Sequence, residues 1–167
     1  MTLHQPGILG RTSYASHMDI VVEDIPPAVL KEQGPPLFER HFQELRNGRD
    51  LEVAPAWALY DSLTATGALH CIGAFGDGQL IGYSVNLYMP RHLHYRYSYI
   101  QNDVLFVDEP YRRSSVGARL IKATRHLAER LGVDQIMWHC KKDTQLHQMM
   151  DRSDRHSLAD LVYTEDL

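Results

Sequence analysis

The residues best suited to chemistry lie in one stretch, Asn102-Asp-Val-Leu-Phe-Val-Asp-Glu-Pro-Tyr-Arg-Arg-Ser-Ser-Val-Gly-Ala-Arg-Leu-Ile121. An apolar run that includes Leu105, Phe106 and Val107 passes into a short loop holding Arg112, Arg113, Ser114 and Ser115. The chain then continues through Val116, Gly117 and Ala118 into a long helix-patterned segment. Such a junction can cradle phosphate. The first turn of a helix has unpaired N–H groups and a partial positive charge. A glycine there lets a ligand approach the backbone, and the arginines add charge-assisted contacts. The stretch is neither GxxxxGK[ST] nor GxGxxG. The same residues also describe an ordinary capped helix, with Ser114 or Ser115 at the N-cap and both arginines in water.

A second constellation is His92-Leu-His94. On an extended strand this pair points both rings the same way. With His139 and Cys140 it can be imagined around a metal, but spacing fixes no third ligand and no metal is assigned. His92, His94 and Tyr95 are instead expected at the rim of a substrate pocket. Arg91 and Arg96 make the segment basic among Tyr88, Tyr95, Tyr97 and Tyr99. Basic and aromatic side chains together can meet an acidic or nucleic-acid partner; alternating tyrosines equally well pack one face of a strand.

Several elements must position these groups. Asp19–Glu23 reads as a first strand, and Pro26-Pro27 can open a helix. Residues 37–46 carry apolar side chains at 37, 38, 42 and 45, an amphipathic helix; Trp57–Leu63 reads as a shorter one. Two strand-like runs, Ala68–Phe75 and Gln79–Tyr88, flank Gly76-Asp77-Gly78, a hairpin signal. Tyr95–Val107 reads as the next strand. Ser114–Leu131 is the best helix, apolar at 116, 120, 123, 127, 128 and 131, with Gly132 as its stop. Gln135–Cys140 reads as a strand, Asp143–Met150 as a helix and Leu161–Thr164 as a last strand. The order implies a layered α/β or α+β sheet.

The chain of 167 residues is 44% apolar and 23% charged, which suits one domain able to bury a core unaided. A net charge of −4 argues against a dedicated nucleic-acid or membrane-surface binder. Cys71 and Cys140 form no CxxC, so a reducing, cytoplasmic compartment is expected. Residues 1–17 are polar and aperiodic, and His17-Met18 is what an expression-vector junction often leaves. They are expected to be an N-terminal extension or foreign leader, with residues 18–167 forming a single domain.

Residues 111–118, Tyr-Arg-Arg-Ser-Ser-Val-Gly-Ala, resemble the pyrophosphate loop of GNAT-superfamily N-acetyltransferases, patterned Arg/Gln-x-x-Gly-x-Gly/Ala. Arg112 matches the first position and Gly117 the last, while Ser115 replaces the first glycine. Leu105–Tyr111 is similar to that family's fourth strand and its exit. The stretch Pro90-Arg-His-Leu-His-Tyr-Arg, followed by Asn-Asp-Val-Leu, also resembles little-characterised GNATs of tailed bacteriophages, which would place the protein in the host cytoplasm. The resemblance implies a twisted, mixed, mostly antiparallel sheet flanked by helices, and acetyl transfer from acetyl-CoA to an amine on a small molecule or protein.

It further implies roles. Pyrophosphate would sit on residues 112–118, and backbone N–H groups of Leu105, Phe106 and Val107, freed by a β-bulge, would face the thioester. Asp103, desolvated by apolar strand neighbours, would take the amine's proton, with His139 across from it as a second acid–base candidate. The tyrosine that usually protonates the departing thiolate has no counterpart, since its place falls near Met150. A GNAT-like module that binds CoA or a protein without catalysis is the alternative. Members of the family often dimerise.

Overall fold

The computed structural model describes residues 18–45 and 52–165, so the expected leader at residues 1–17 lies outside the described residues. Five strands form one sheet in the order β1-β2-β3-β4-β5: β1 (Ile20–Ile25), β2 (Leu69–Gly76), β3 (Gln79–Met89), β4 (Tyr99–Val107) and β5 (Gln135–Trp138). The first four pair antiparallel; β5 joins β4 in parallel. That is the twisted, mixed, mostly antiparallel α/β sheet expected.

Alternation along the strands splits the apolar side chains between two layers. Leu69, Cys71, Tyr83, Val85 and Phe106 face one side, under α1 (Pro27–Gln33), α2 (Pro35–Leu45) and α3 (Trp57–Ala65). Ile72, Ala74, Ile81, Ile100 and Val107 face the other, under α4 (Val116–Leu131). The stripe on α4 supplies Val116, Leu120 and Leu127, each no more than 1% exposed. Gly132 ends the helix at φ 64°, where its N–H and that of Val133 take the last carbonyls. Asp77 and Gly78, at φ 50° and 81°, close the β2–β3 hairpin in the left-handed conformation that a primed turn requires.

Four expectations need correction. β4 starts at Tyr99, not Tyr95, because residues 91–98 form a loop in which the rings of Tyr95 and Tyr97 stack on His92 at 4.9 and 5.1 Å. β5 ends at Trp138, before Cys140. The helix after it, α5 (Gln145–Asp151), starts two residues late, because the Thr144 hydroxyl accepts the His147 N–H and so caps it. Leu161–Thr164 is not a strand: Leu161, Val162 and Tyr163 are 69–88% exposed and pair with no sheet edge.

Candidate active site

The site grows from an irregularity in β4. On one side β4 pairs with β3, but the register jumps between Val85↔Val104 and Asn86↔Asn102, so Asp103 is the extra residue of a β-bulge. On the other side β5 follows only as far as Asn102↔Trp138 and a last bond from His139 N–H to the Asn102 carbonyl, 3.1 Å. Beyond that rung β4 runs on to Val107 paired with β3 alone, with no described strand on its β5 side, and the sheet splays open there.

Backbone direction decides what the splay presents. Successive residues of a strand turn their N–H and C=O to opposite sides. The Asp108 N–H donates to the Ile81 carbonyl of β3, 2.9 Å, so Val107 and Leu105 turn away from β3 and into the splay, while Phe106 turns toward β3. The Val107 carbonyl on that open side accepts Arg112 Nε at 2.9 Å, which fits this alternation. Leu105 and Val107 thus turn their N–H groups toward the splay, and Phe106 turns its own toward β3.

The bulge is held by Asn102. Its side-chain nitrogen lies 2.9 Å from both Ser84 Oγ and Asn86 Oδ1 and 3.1 Å from the Val104 carbonyl, so its two N–H groups are shared among three acceptors and one reaches across the bulged residue. Ser84, Asn86, Asn102 and Thr124 are all fully buried, and Ser84 Oγ lies 3.2 Å from Thr124 Oγ1 of α4. Asn102 Oδ1 has no partner, a buried acceptor left over at the head of the splay.

Asp103 itself is exposed, so the desolvation expected from its apolar neighbours does not occur: the bulge lifts the side chain out of them. Its carboxylate still acts on Tyr60 of α3, whose hydroxyl is pushed above the usual tyrosine range by burial first, then by Cys71 and Asp103. His139 is exposed just past the last rung, and no hydrogen bond or ion pair joins its ring to Asp103.

Downstream, a short 3-10 turn (Glu109–Tyr111) capped by Asp108 leads to the loop before α4. Ser114 Oγ donates to the Tyr111 carbonyl, 2.6 Å, and accepts the Val116 N–H, 3.3 Å. Ser115 stands at the N-cap with φ −79°, a conformation open to any residue, so the missing glycine costs the backbone nothing; its hydroxyl makes no cap. Arg113 is exposed and forms no ion pair among the described residues. Arg112 is committed inward, to Val107 and to Glu44 of α2 at 2.5 Å, with its guanidinium 5.4 Å from the Phe106 ring. A Cβ built on Gly117 would meet only Val107 Cγ2, at 3.9 Å. The protein's own packing therefore does not require glycine there, as expected where space is kept for a ligand. Ala118, the next residue of the first turn, is exposed.

On the helical side of β4 lies a cleft of about 350 Å3 whose wall includes Phe38, His41, Phe42, Tyr60, Tyr83 and Val104. Sequence reasoning missed His41. Its Nδ1 is 3.0 Å from the Tyr83 hydroxyl and its ring stacks on Phe106 at 4.7 Å. Burial, with lesser help from Arg112 and Lys141 and against Glu44, holds it down at about 4, so the imidazole is neutral at pH 7. The only sequence signal was its place beside the apolar positions of α2.

His92, His94 and Tyr95 sit on the β3–β4 loop, at the end of β4 opposite the splay, and line neither the splay nor this cleft. Among the described residues no three His, Cys, Asp or Glu side chains gather as a metal site would need, so His92, His94, His139 and Cys140 do not form one. No described helix is long and apolar enough to cross a membrane.

Solved structures share this fold. A ribosomal-protein-alanine N-acetyltransferase from Brucella melitensis biovar Abortus 2308 superposes with a TM-score of 0.67 at 16% identity, over 89% of this chain and 99% of that one. An aminoglycoside acetyltransferase, meta-AAC0020, from an uncultured soil metagenomic sample, in complex with sisomicin, gives 0.67 at 14%, over 89% and 96%. The aminoglycoside N-acetyltransferase AAC(6')-Iy in complex with CoA gives 0.67 at 13%, over 92% and 97%. No curated protein matches the chain. Residues 35–150, from the start of α2 almost to the end of α5, match the Acetyltransferase (GNAT) family. The chain belongs to the GNAT acetyltransferase family.

Proposed function

We propose that the protein transfers an acetyl group from acetyl-CoA to a primary amine. The observation that carries this reading is the pairing of an uncrowded glycine at the α4 N-terminus with two strand N–H groups that face the splay between β4 and β5. Acetyl-CoA supplies an activated thioester and a pyrophosphate. The N–H groups of residues 113–118 would receive the pyrophosphate, with Arg113 and the Ser115 hydroxyl as side-chain partners. The N–H groups of Leu105 and Val107 would meet the negative charge that grows on the thioester oxygen.

An alkylammonium must lose a proton before it can attack, its pKa being near ~10. Asp103, on the bulge beside those N–H groups, accepts that proton directly or through water, with His139 as the next candidate across the splay. The amine nitrogen then bonds to the acetyl carbon, the carbon–sulfur bond breaks with its electron pair going to sulfur, and the second proton of the attacking nitrogen passes to the departing thiolate, directly or through water, leaving amide and free thiol. A thiol with a cysteine-like pKa of ~8.5 needs little help to leave, so the buried, non-acidic Met150 in the tyrosine's place is compatible with turnover.

The test is a calorimetric titration with acetyl-CoA, followed by a CoA-release assay over a panel of primary amines. Saturable binding and amine-dependent CoA release, slowed about 100-fold or more by Asp103→Asn, are expected. Absence of binding at millimolar acetyl-CoA overturns the reading.

A further inference from the structure

We propose that the cleft between α2, α3, β3 and β4 receives the acceptor amine through an aromatic or compact apolar group carried beside the nitrogen. This deepens the N-acetyl transfer reading and rests on it.

The wall is chemically one-sided. Phe38, Phe42, Leu45, Pro55 and Val104 are among its apolar members, and among the described residues no Asp, Glu, Lys or Arg lines it. Its polar side chains are the His41 imidazole and the hydroxyls of Tyr60 and Tyr83, all uncharged at neutral pH: burial holds the imidazole low, and the phenols, which ordinarily titrate near 10, are pushed higher still. A polycation entering this space would shed water and find no carboxylate among the described lining residues to replace it. A ring would instead find aromatic faces and a few polar atoms to orient it, and about 350 Å3 is room for one.

Phe42 separates a binding wall from ordinary core. It is half-buried on α2, yet packs in neither core cluster, whereas Phe38 and Tyr83 do. Neither core cluster among the described residues accounts for an aromatic residue at 42; a cleft that holds an apolar ligand does. Position points the same way. Val104 lines the cleft and Asp103, the residue before it, acts on Tyr60 in the same wall. An amine whose nitrogen reaches Asp103 thus places its substituent among these side chains. Acidic residues do gather on the other side of α2, around Glu39, Glu44, Asp108 and Glu109, but Arg40 and Arg112 already occupy Asp108 and Glu44.

The test titrates 2-phenylethylamine, butylamine and spermidine into the full chain by calorimetry and, separately, measures acetylation of each. We expect 2-phenylethylamine to bind about tenfold or more tightly than the other two. Phe42→Ala should erase that preference while leaving acetyl-CoA binding intact, which shows the variant is folded; Phe42→Leu should retain part of it. Equal binding of the three amines, a preference for spermidine, or no effect of Phe42→Ala overturns the proposal. Phenylethylamine binding without acetylation of any amine would sink acetyl transfer and leave the cleft assignment standing. Acetylation of spermidine but not of 2-phenylethylamine would do the reverse.

Discussion

Arg112 Nε donates to the Val107 carbonyl at 2.9 Å, so the guanidinium at the first position of the loop pattern caps the open end of β4. Its Nη2 continues to Glu44, and one turn earlier on α2 Arg40 grips both oxygens of Asp108, at 2.8 and 3.0 Å. Two ion pairs spaced i, i+4 thereby hold α2 against the exit of β4. The side chain that looks like a phosphate ligand in the sequence is fastened to the scaffold, and its neighbour Arg113 is the one left facing water.

The two arginines should therefore separate in experiment. Arg112→Ala is expected to cost on the order of 1–3 kcal/mol of stability, through a partly buried carbonyl left without its donor and the loss of the Glu44 contact. Arg112→Lys should recover little, since one ammonium cannot reach both partners as the planar fork does. Arg113→Ala should leave the melting temperature unchanged and weaken acetyl-CoA binding about tenfold. Urea denaturation and calorimetry on the three variants check this; equal effects on both readouts would refute the division.

Gly117→Asp makes the sharpest test of the cradle, because its effects on folding and binding have opposite signs. A Cβ there meets nothing closer than 3.9 Å, and a glycine replaced within the first turn of a helix gains propensity. A carboxylate near a helix N-terminus also adds about 0.3–1 kcal/mol of stability. The melting temperature should hold or rise, while acetyl-CoA binding falls at least about tenfold as the carboxylate repels pyrophosphate. A fall in both would mean that Gly117 serves the fold.

Stability should decline in mild acid through His41. Its folded value of about 4 lies below the 6.5 of an ordinary histidine, so between these two pH values the unfolded chain binds a proton that the folded chain refuses. Stability thus rises with pH across this window and is lost as pH falls from about 6.5 toward 4, by on the order of 2–3 kcal/mol. Above it both states are neutral and the contribution is flat. Denaturation midpoints from pH 4 to 7.5 should show the slope, and His41→Gln should flatten it.

Asn102→Ala is expected to lower both stability and turnover. The donors that Ser84, Asn86 and the Val104 carbonyl share disappear from a fully buried site, at a cost on the order of 2–3 kcal/mol. Without the bridge to Val104 the bulge relaxes and Asp103 loses its place, so acetylation should fall further than acetyl-CoA affinity does. Equal losses in the two would assign Asn102 to the fold alone.

Local rules were enough for the elements whose cause is local. Asp77-Gly78 closes its hairpin because both positions need positive φ, and α4 follows from its apolar period and its terminal glycine. Residues 111–118 showed a helix entry with a glycine and two arginines whatever their use, and their likeness to the GNAT loop agrees with the family to which residues 35–150 belong. Other features needed the third dimension. Tyr95, Tyr97 and Tyr99 alternate as strand residues do, yet only Tyr99 is in β4, because stacking on His92 competes with sheet pairing. The bulge at Asp103 depends on register against β3, and the splay on where β5 stops, and neither relation is local. Which arginine is free was set by Glu44, 68 residues earlier in the chain. Phe42 read as one more apolar position of an amphipathic helix; that it faces a cleft rather than the core was decided by what β3, β4 and α3 left uncovered. Sequence period tells which side chains leave water. Only the packing of distant segments decides whether they meet one another or a ligand.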